Sequence, residues 1–216
     1  MSLSFVKNDA LAELALPAGS NPFATRYTRP NAGEFLFPAA ADAETLVARL
    51  RDCGWRGQIT GPHGSGKSTL VHTLLPRLRT AGRRVEFYLL RAPSTPWRDS
   101  IASWNAATQI VIDGGEQLGW LQRTWFQWQC SRRGAGLLVT AHGDLGLPQL
   151  YRTETSVELT QRIVARLLGE ADAEWLRPEH VERLLAEHRG NVREVLFALY
   201  DLYEQRQAGG AAAASR

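Results

Sequence analysis

Lysine is nearly missing from this chain. Of its 25 basic residues only Lys7 and Lys67 are lysine, and the rest are arginine. Cysteine is as sparse: Cys53 and Cys130 stand apart with no ligand-type spacing, which fits two reduced thiols and excludes a disulfide framework. No window of about 18 apolar residues exists, which excludes a spanning helix. The first twenty residues hold Asp9 and Glu13 within their apolar stretch, which argues against a secretory signal and for a cytoplasmic location. A net charge of +3 is too small by itself to imply nucleic acid. What remains is a chain of 216 residues, enough for one full domain and a small appendage.

The one internal lysine stands in "GPHGSGKST", which fits G-x-x-x-x-G-K-[ST] in full. A short buried strand, 57–60, is expected before it, and a helix from about 66 to 80 after it. Glycines let backbone amides turn towards phosphate oxygens, and the helix N-terminus adds partial positive charge. A compact ammonium on a flexible stem suits such a cradle better than a planar guanidinium. Gly61, Pro62, His63, Gly64, Ser65, Gly66, Lys67, Ser68 and Thr69 are therefore the candidate nucleotide loop. Lys67 is expected to reach the β- and γ-phosphates and the Ser68 hydroxyl to bind magnesium; the plainer reading is a glycine turn without ligand.

Three further stretches can serve that loop. "QIVIDGGEQL", 109–118, runs as an apolar strand into Asp113, where a carboxylate can hold magnesium. Glu116 either orients an attacking water as general base or merely opens a helix, where an acid is favoured anyway. "LLVTAHGD", 137–144, ends a strand on polar groups, and Thr140 or His142 can sense a γ-phosphate there. "HRGNVREVLFAL", 188–199, puts Arg193 in the first turn of the last helix. A cation there opposes the helix dipole unless an anion faces it.

Strands alternate with helices up to about 158, with the fifth strand expected at "TSVELT", 155–160. This predicts a three-layer α/β domain with a parallel sheet. Residues 1–54 form an irregular segment and one helix, with "FLF" at 35–37 packing on the main domain; 55–158 form the core. Three amphipathic segments then make a helical lid over 159–206, and 207–216 is a low-complexity tail expected to be disordered. A helix over 116–133 puts Leu121, Trp125 and Trp128 on one face, which predicts core packing; the other reading is an aromatic partner surface. Arg77, Arg79, Arg83 and Arg84 cluster at one helix end, as a solvated turn or as phosphate contacts to nucleic acid.

In this order, the loop at 61–69, Asp113, Thr140 and "GNVRE" at 190–194 resemble AAA+ ATPases, over about 57–204. The resemblance implies a P-loop NTPase sheet ordered 5-1-4-3-2, a helical lid, and ATP with Mg2+ held between the two. By position, Lys67 and Ser68 match the first Walker motif, and Asp113 and Glu116 the second. Thr140 matches the first sensor and Arg193 the second. Two glycines separate the acids, a spacing similar to the DG-x-[DE] form of STAND-type switch ATPases; initiator-like and transposition-type ATPases are the other comparison. Arg132, Arg133 and Arg152 are the candidates for an arginine finger. The implied function is an ATP-hydrolysing switch that acts on a protein or nucleic-acid partner, with a homo-oligomer possible and no membrane partner. The alternatives are a nucleotide-stabilised binding module and a small-molecule kinase, with Arg91 and Arg98 of the 91–104 segment holding an anionic substrate. An LSGGQ-like signature and an NKxD-like base reader are both absent, which argues against an ABC subunit and a GTPase.

Overall fold

The computed structural model describes residues 21–30, 33–38, 41–92, 97–169 and 176–214. Asp42 accepts the Thr45 N–H at 2.6 Å and so starts α2 (Ala43–Asp52), which follows the one-turn α1 (Thr25–Thr28). Then come β1 (Arg56–Thr60), α3 (Lys67–Thr80), β2 (Arg84–Leu89), β3 (Thr108–Asp113), α4 (Trp120–Arg133), β4 (Gly136–Ala141) and β5 (Gln149–Arg152). Three helices close the chain: α5 (Val157–Leu168), α6 (Pro178–Glu187) and α7 (Val192–Ala214). No described helix is long and apolar enough to cross a membrane.

The five strands are all parallel, in the order β2-β3-β4-β1-β5. Counted from the other edge this is 5-1-4-3-2. Side chains alternate across the sheet. Val111 of β3 and Leu138 of β4 join α2 and α3 on one face, while Ile110, Ile112, Leu137 and Val139 join Phe126 and Cys130 of α4 on the other. Both faces are covered, so the central strands are apolar throughout. Burial pushes the Cys130 thiol up to about 12. The helices α5, α6 and α7 bury their apolar stripes against one another in a separate cluster.

The segment before α2 touches both parts. Asn21 donates from Nδ2 to the Tyr200 carbonyl at 3.0 Å and to Glu204 at 2.8 Å. Phe23 is buried in the helical cluster, edge-on to Tyr203. Further on, Phe35 and Phe37 pack edge-on with each other and with Tyr151 of β5, and the Phe35 N–H donates to Thr73 Oγ1 at 2.8 Å. One strap thus anchors in the helical unit at one end and on the sheet domain at the other. Residues 1–20 of the expected N-terminal segment lie outside the described residues.

Four expectations need correction. The fifth strand is Gln149–Arg152, and "TSVELT" instead opens α5, because Ser156 accepts the Leu159 N–H at 3.1 Å and Val164 and Leu168 continue a helical stripe. The helix at 116–133 is split: Gly115–Gln117 forms a 3-10 turn, and α4 starts only after Gly119. On α4 the buried residues are Phe126 and Cys130, while Leu121, Trp125 and Trp128 are exposed. The core volume they were expected to fill is taken by Trp97 and Trp104 from the preceding connection. Finally, α7 continues to Ala214 through the alanine run, since alanine is the strongest helix former.

Phe23 carries the upper anchor of the strap. Phe23→Ala should lower unfolding free energy by about 3 kcal/mol, the low end for a buried phenylalanine. Urea denaturation followed by circular dichroism measures it; a loss under about 1 kcal/mol would mean that the strap is not seated there.

Candidate functional site

The strand order decides which loops meet. β1 lies between β4 and β5, so the loop after β1 is flanked by the ends of β4 and β5, with β3 one strand further on. Gly61 has no room for a side chain, since a Cβ there would stand 2.1 Å from Thr153 Oγ1. Thr153 Oγ1 also lies 2.6 Å from Ser65 Oγ, which donates to the Pro62 carbonyl at 2.8 Å. The loop is therefore buttressed by the residue after β5. Gly64 has φ +69°, and a Cβ on it would sit 1.8 Å from Asn191 Oδ1. The start of the last helix rests directly on the loop.

Lys67, the first residue of α3, is 9% exposed. Its Nζ donates to the Gly61 and Pro62 carbonyls at 2.7 Å each and lies 3.2 Å from His142 Nδ1. Among the described residues no carboxylate stands within ion-pair distance of it. Burial pushes the pKa of Lys67 below its ordinary value; the negative charges of Glu116 and Asp113 act the other way, and Arg193 adds to the fall. The ammonium is thus desolvated, solvated by carbonyl dipoles, and ringed at longer range by the other candidate residues.

Asp113 ends β3 and is buried. Its Oδ1 accepts the Thr140 hydroxyl at 2.6 Å, and Thr140 Oγ1 in turn accepts the Gly114 N–H at 2.9 Å. Thr140 thereby holds Asp113 in place. His142, two residues on, reaches the loop lysine. Its Nε2 is 3.2 Å from Glu116 Oε1, and its ring stacks on His63 with centroids 3.6 Å apart. Nδ1 of the same ring lies 3.2 Å from Lys67 Nζ and 3.3 Å from the Gly61 carbonyl, while Nε2 points at Glu116. His142 links the loop lysine to the exposed acid. Its dual contact was not legible in the sequence beyond its place at a strand end, and neither was the Thr153 buttress, hidden by the misplaced fifth strand.

Arg193 is exposed at the start of α7, close enough that its charge lowers the pKa of both Lys67 and His63. Asn191 Oδ1 is 3.5 Å from the Glu194 N–H. Ser68 and Thr69 are half-buried, and the Ser68 hydroxyl has no hydrogen-bond partner among the described residues. Oδ2 of Asp113 is likewise left open. One hydroxyl and one carboxylate suit magnesium, which keeps several waters and takes phosphate oxygens as ligands. No cluster of three or more His, Cys, Asp or Glu able to hold a metal occurs among the described residues, and a magnesium site of this type needs none.

Other expected groups are engaged elsewhere. Arg77 pairs with Glu34 at 2.7 Å and Glu44 at 3.4 Å. Arg83 is buried, donates to the Thr108 carbonyl at 2.7 Å and lies over Trp55. Arg84 pairs with Glu86 at 3.5 Å. Of that basic cluster Arg79 and Arg84 are exposed, Arg77 is half-buried, and Arg77 and Arg84 already face acids. Arg132 lies over Trp128, and Arg133 donates to Gln129. In the 91–104 segment Arg91 and Arg98 are exposed, and 93–96 lies outside the described residues. A cleft of about 440 Å³ opens beside His142, lined by Gln58, Thr60, Asp144, Gln149 and Arg152 among others. No family model matches the chain, and no curated protein shows significant similarity to it.

The stacked histidines set a pH dependence. The charge of His142 holds the His63 pKa below its ordinary value of 6.5, with burial and then Lys67 adding to the effect. Folded His63 thus binds fewer protons than in the unfolded chain, so its contribution to stability is lost as pH falls through 6.5. His63→Gln should flatten the decline in unfolding free energy between neutral and mildly acidic pH. Urea titrations across that range check it; an unchanged slope would mean that His63 does not titrate against His142.

Proposed function

We propose that this chain binds ATP at the loop 61–69 and hydrolyses it, and that the nucleotide's state sets the hold of the helical unit on the sheet domain. The observation that carries this reading is Lys67: a buried ammonium at a helix start, with carbonyls and an imidazole but no carboxylate against it. An anion brought to the loop would replace the Gly61 and Pro62 carbonyls as its partner. The N-terminal end of α3, which begins at Lys67, adds partial positive charge there. The resemblance to AAA+ ATPases supports the same assignment.

In this reading Ser68 and Asp113 hold magnesium, which when bound neutralises charge on the β- and γ-phosphates. Thr140 keeps the Asp113 carboxylate oriented. Glu116 takes the proton from a water whose oxygen bonds to the γ-phosphorus as the bond to the β–γ bridging oxygen breaks. His142, whose Nε2 lies 3.2 Å from Glu116 Oε1, fixes the acid's position. Arg193 reads the γ-phosphate from the helical unit. With Asn191 already on Gly64, loss of that phosphate removes one of the links between α7 and the loop, and a macromolecular partner would sense the altered angle.

A second reading, phosphoryl transfer to a small acceptor, is favoured by one observation. The cleft lined by Gln58, Gln149 and Arg152 adjoins His142 and has room for a small polar molecule. Phosphate release in the absence of any acceptor supports hydrolysis; release that requires one supports transfer.

Glu116→Gln should keep ATP binding and slow phosphate release by about a hundredfold, the usual scale for a lost general base. Unchanged turnover would reduce Glu116 to a turn residue. Arg193→Ala should weaken ATP binding more than ADP binding, because a charge-assisted hydrogen bond is worth about 1.5–3 kcal/mol. Calorimetry on both nucleotides decides it: an equal loss would mean that Arg193 does not read the γ-phosphate.

A further inference from the structure

The outer face of α4 is unlike the rest of the surface. Trp120 is 67% exposed, Leu121 65%, Trp125 46% and Trp128 51%. Large exposed aromatics gathered on one helix mark an interaction surface more than a solvated one. Leu121, Trp125, Trp128 and Arg132 follow one another at four, three and four residues, the spacing of a seam that receives a second helix. The charges on α4 are all of one sign: Arg123, Arg132 and Arg133, with no acid in the helix. Its partner should therefore be a helix with exposed apolar residues and acids among them.

The chain carries such a helix. On α7, Phe197 is 45% exposed and Tyr200 36%, and Asp201 and Glu204 continue the same face at helical spacing. Between Glu194 and Glu204 every charged residue of α7 is acidic. Glu204 is already held by Asn21, so Asp201 is the acid left for an arginine. Both faces are open to solvent within one chain, so they do not cover each other there. We propose that the Leu121–Arg132 face of α4 docks on the Phe197–Glu204 face of α7 in a second copy of this chain, with Trp125 and Trp128 as the apolar anchors and Arg132 opposite Asp201. The contact is heterologous, pairing two different patches. It needs no nucleotide, and so stands or falls apart from the proposed ATPase activity.

Sedimentation equilibrium of the full chain without nucleotide tests it. The mean mass should rise above the 24.0 kDa monomer with concentration. Trp125→Glu should leave the circular dichroism unchanged and keep the chain monomeric. Arg132→Glu and Asp201→Arg should each weaken association about tenfold or more, as reversing one charge of an interfacial pair does. An equimolar mixture of those two variants should regain it, since each supplies the complement of the other's reversed charge. The proposal is overturned by a wild-type chain that stays monomeric, by association that survives Trp125→Glu, or by variants that mixing does not restore. It is also overturned if a single-stranded oligonucleotide or phosphatidylglycerol vesicles shift the tryptophan fluorescence while the chain remains monomeric, which would give the α4 face to nucleic acid or to lipid.

Discussion

A desolvated ammonium is the constraint on which the site depends. Lys67 can be buried because the Gly61 and Pro62 carbonyls accept from it and the His142 ring lies beside it. Burying a charge costs several kcal/mol unless it is solvated by the protein, so these dipoles must be held in place. Holding them is the work of the surroundings: Thr153 against Gly61 and Ser65, Asn191 against Gly64, and His142 fixed by Glu116. Each contact comes from a different element, and the parallel sheet with β1 between β4 and β5 brings those elements to one end.

The same geometry joins the site to the helical unit. α7 begins beside the loop with Asn191 and Arg193, and further along it receives Asn21. The chain from Asn21 then reaches Phe35 and Phe37 on the sheet domain, where the Phe35 ring lies 3.1 Å from the Cβ position of Gly66. The helical unit is therefore tied to the loop twice, by the start of α7 and by the strap. In the proposed switch, a change in charge at the loop would act on the first tie, and the second would hold the unit to the sheet domain.

Much of this was legible because local signals and tertiary demands agreed. The glycine loop and Asp113 at the end of an apolar strand each depend on a few adjacent residues. The strand order followed from a resemblance and not from the pattern of residues. Where the reading failed, a short window was at fault. Six residues of "TSVELT" alternate like a strand, and only Val164 and Leu168 beyond them show the helical stripe. On α4, helical spacing correctly put Leu121, Trp125 and Trp128 on one face. It could not say which face the sheet would take, because Phe126 and Cys130, with Trp97 and Trp104, filled that space. The link from Lys67 through His142 to Glu116 joins residues far apart in sequence, and no local rule reveals it.

Titrating adenosine, AMP, ADP and ATP into the chain with magnesium, beside the Lys67→Ala variant, tests the central claim most directly. If the loop is built around a phosphate-seeking ammonium, affinity should depend on the β-phosphate. ADP and ATP should bind, adenosine and AMP should not, and Lys67→Ala should abolish binding while leaving the fold intact. Equal affinity for ATP and adenosine, or equal ATP affinity in the wild type and the variant, would contradict the account.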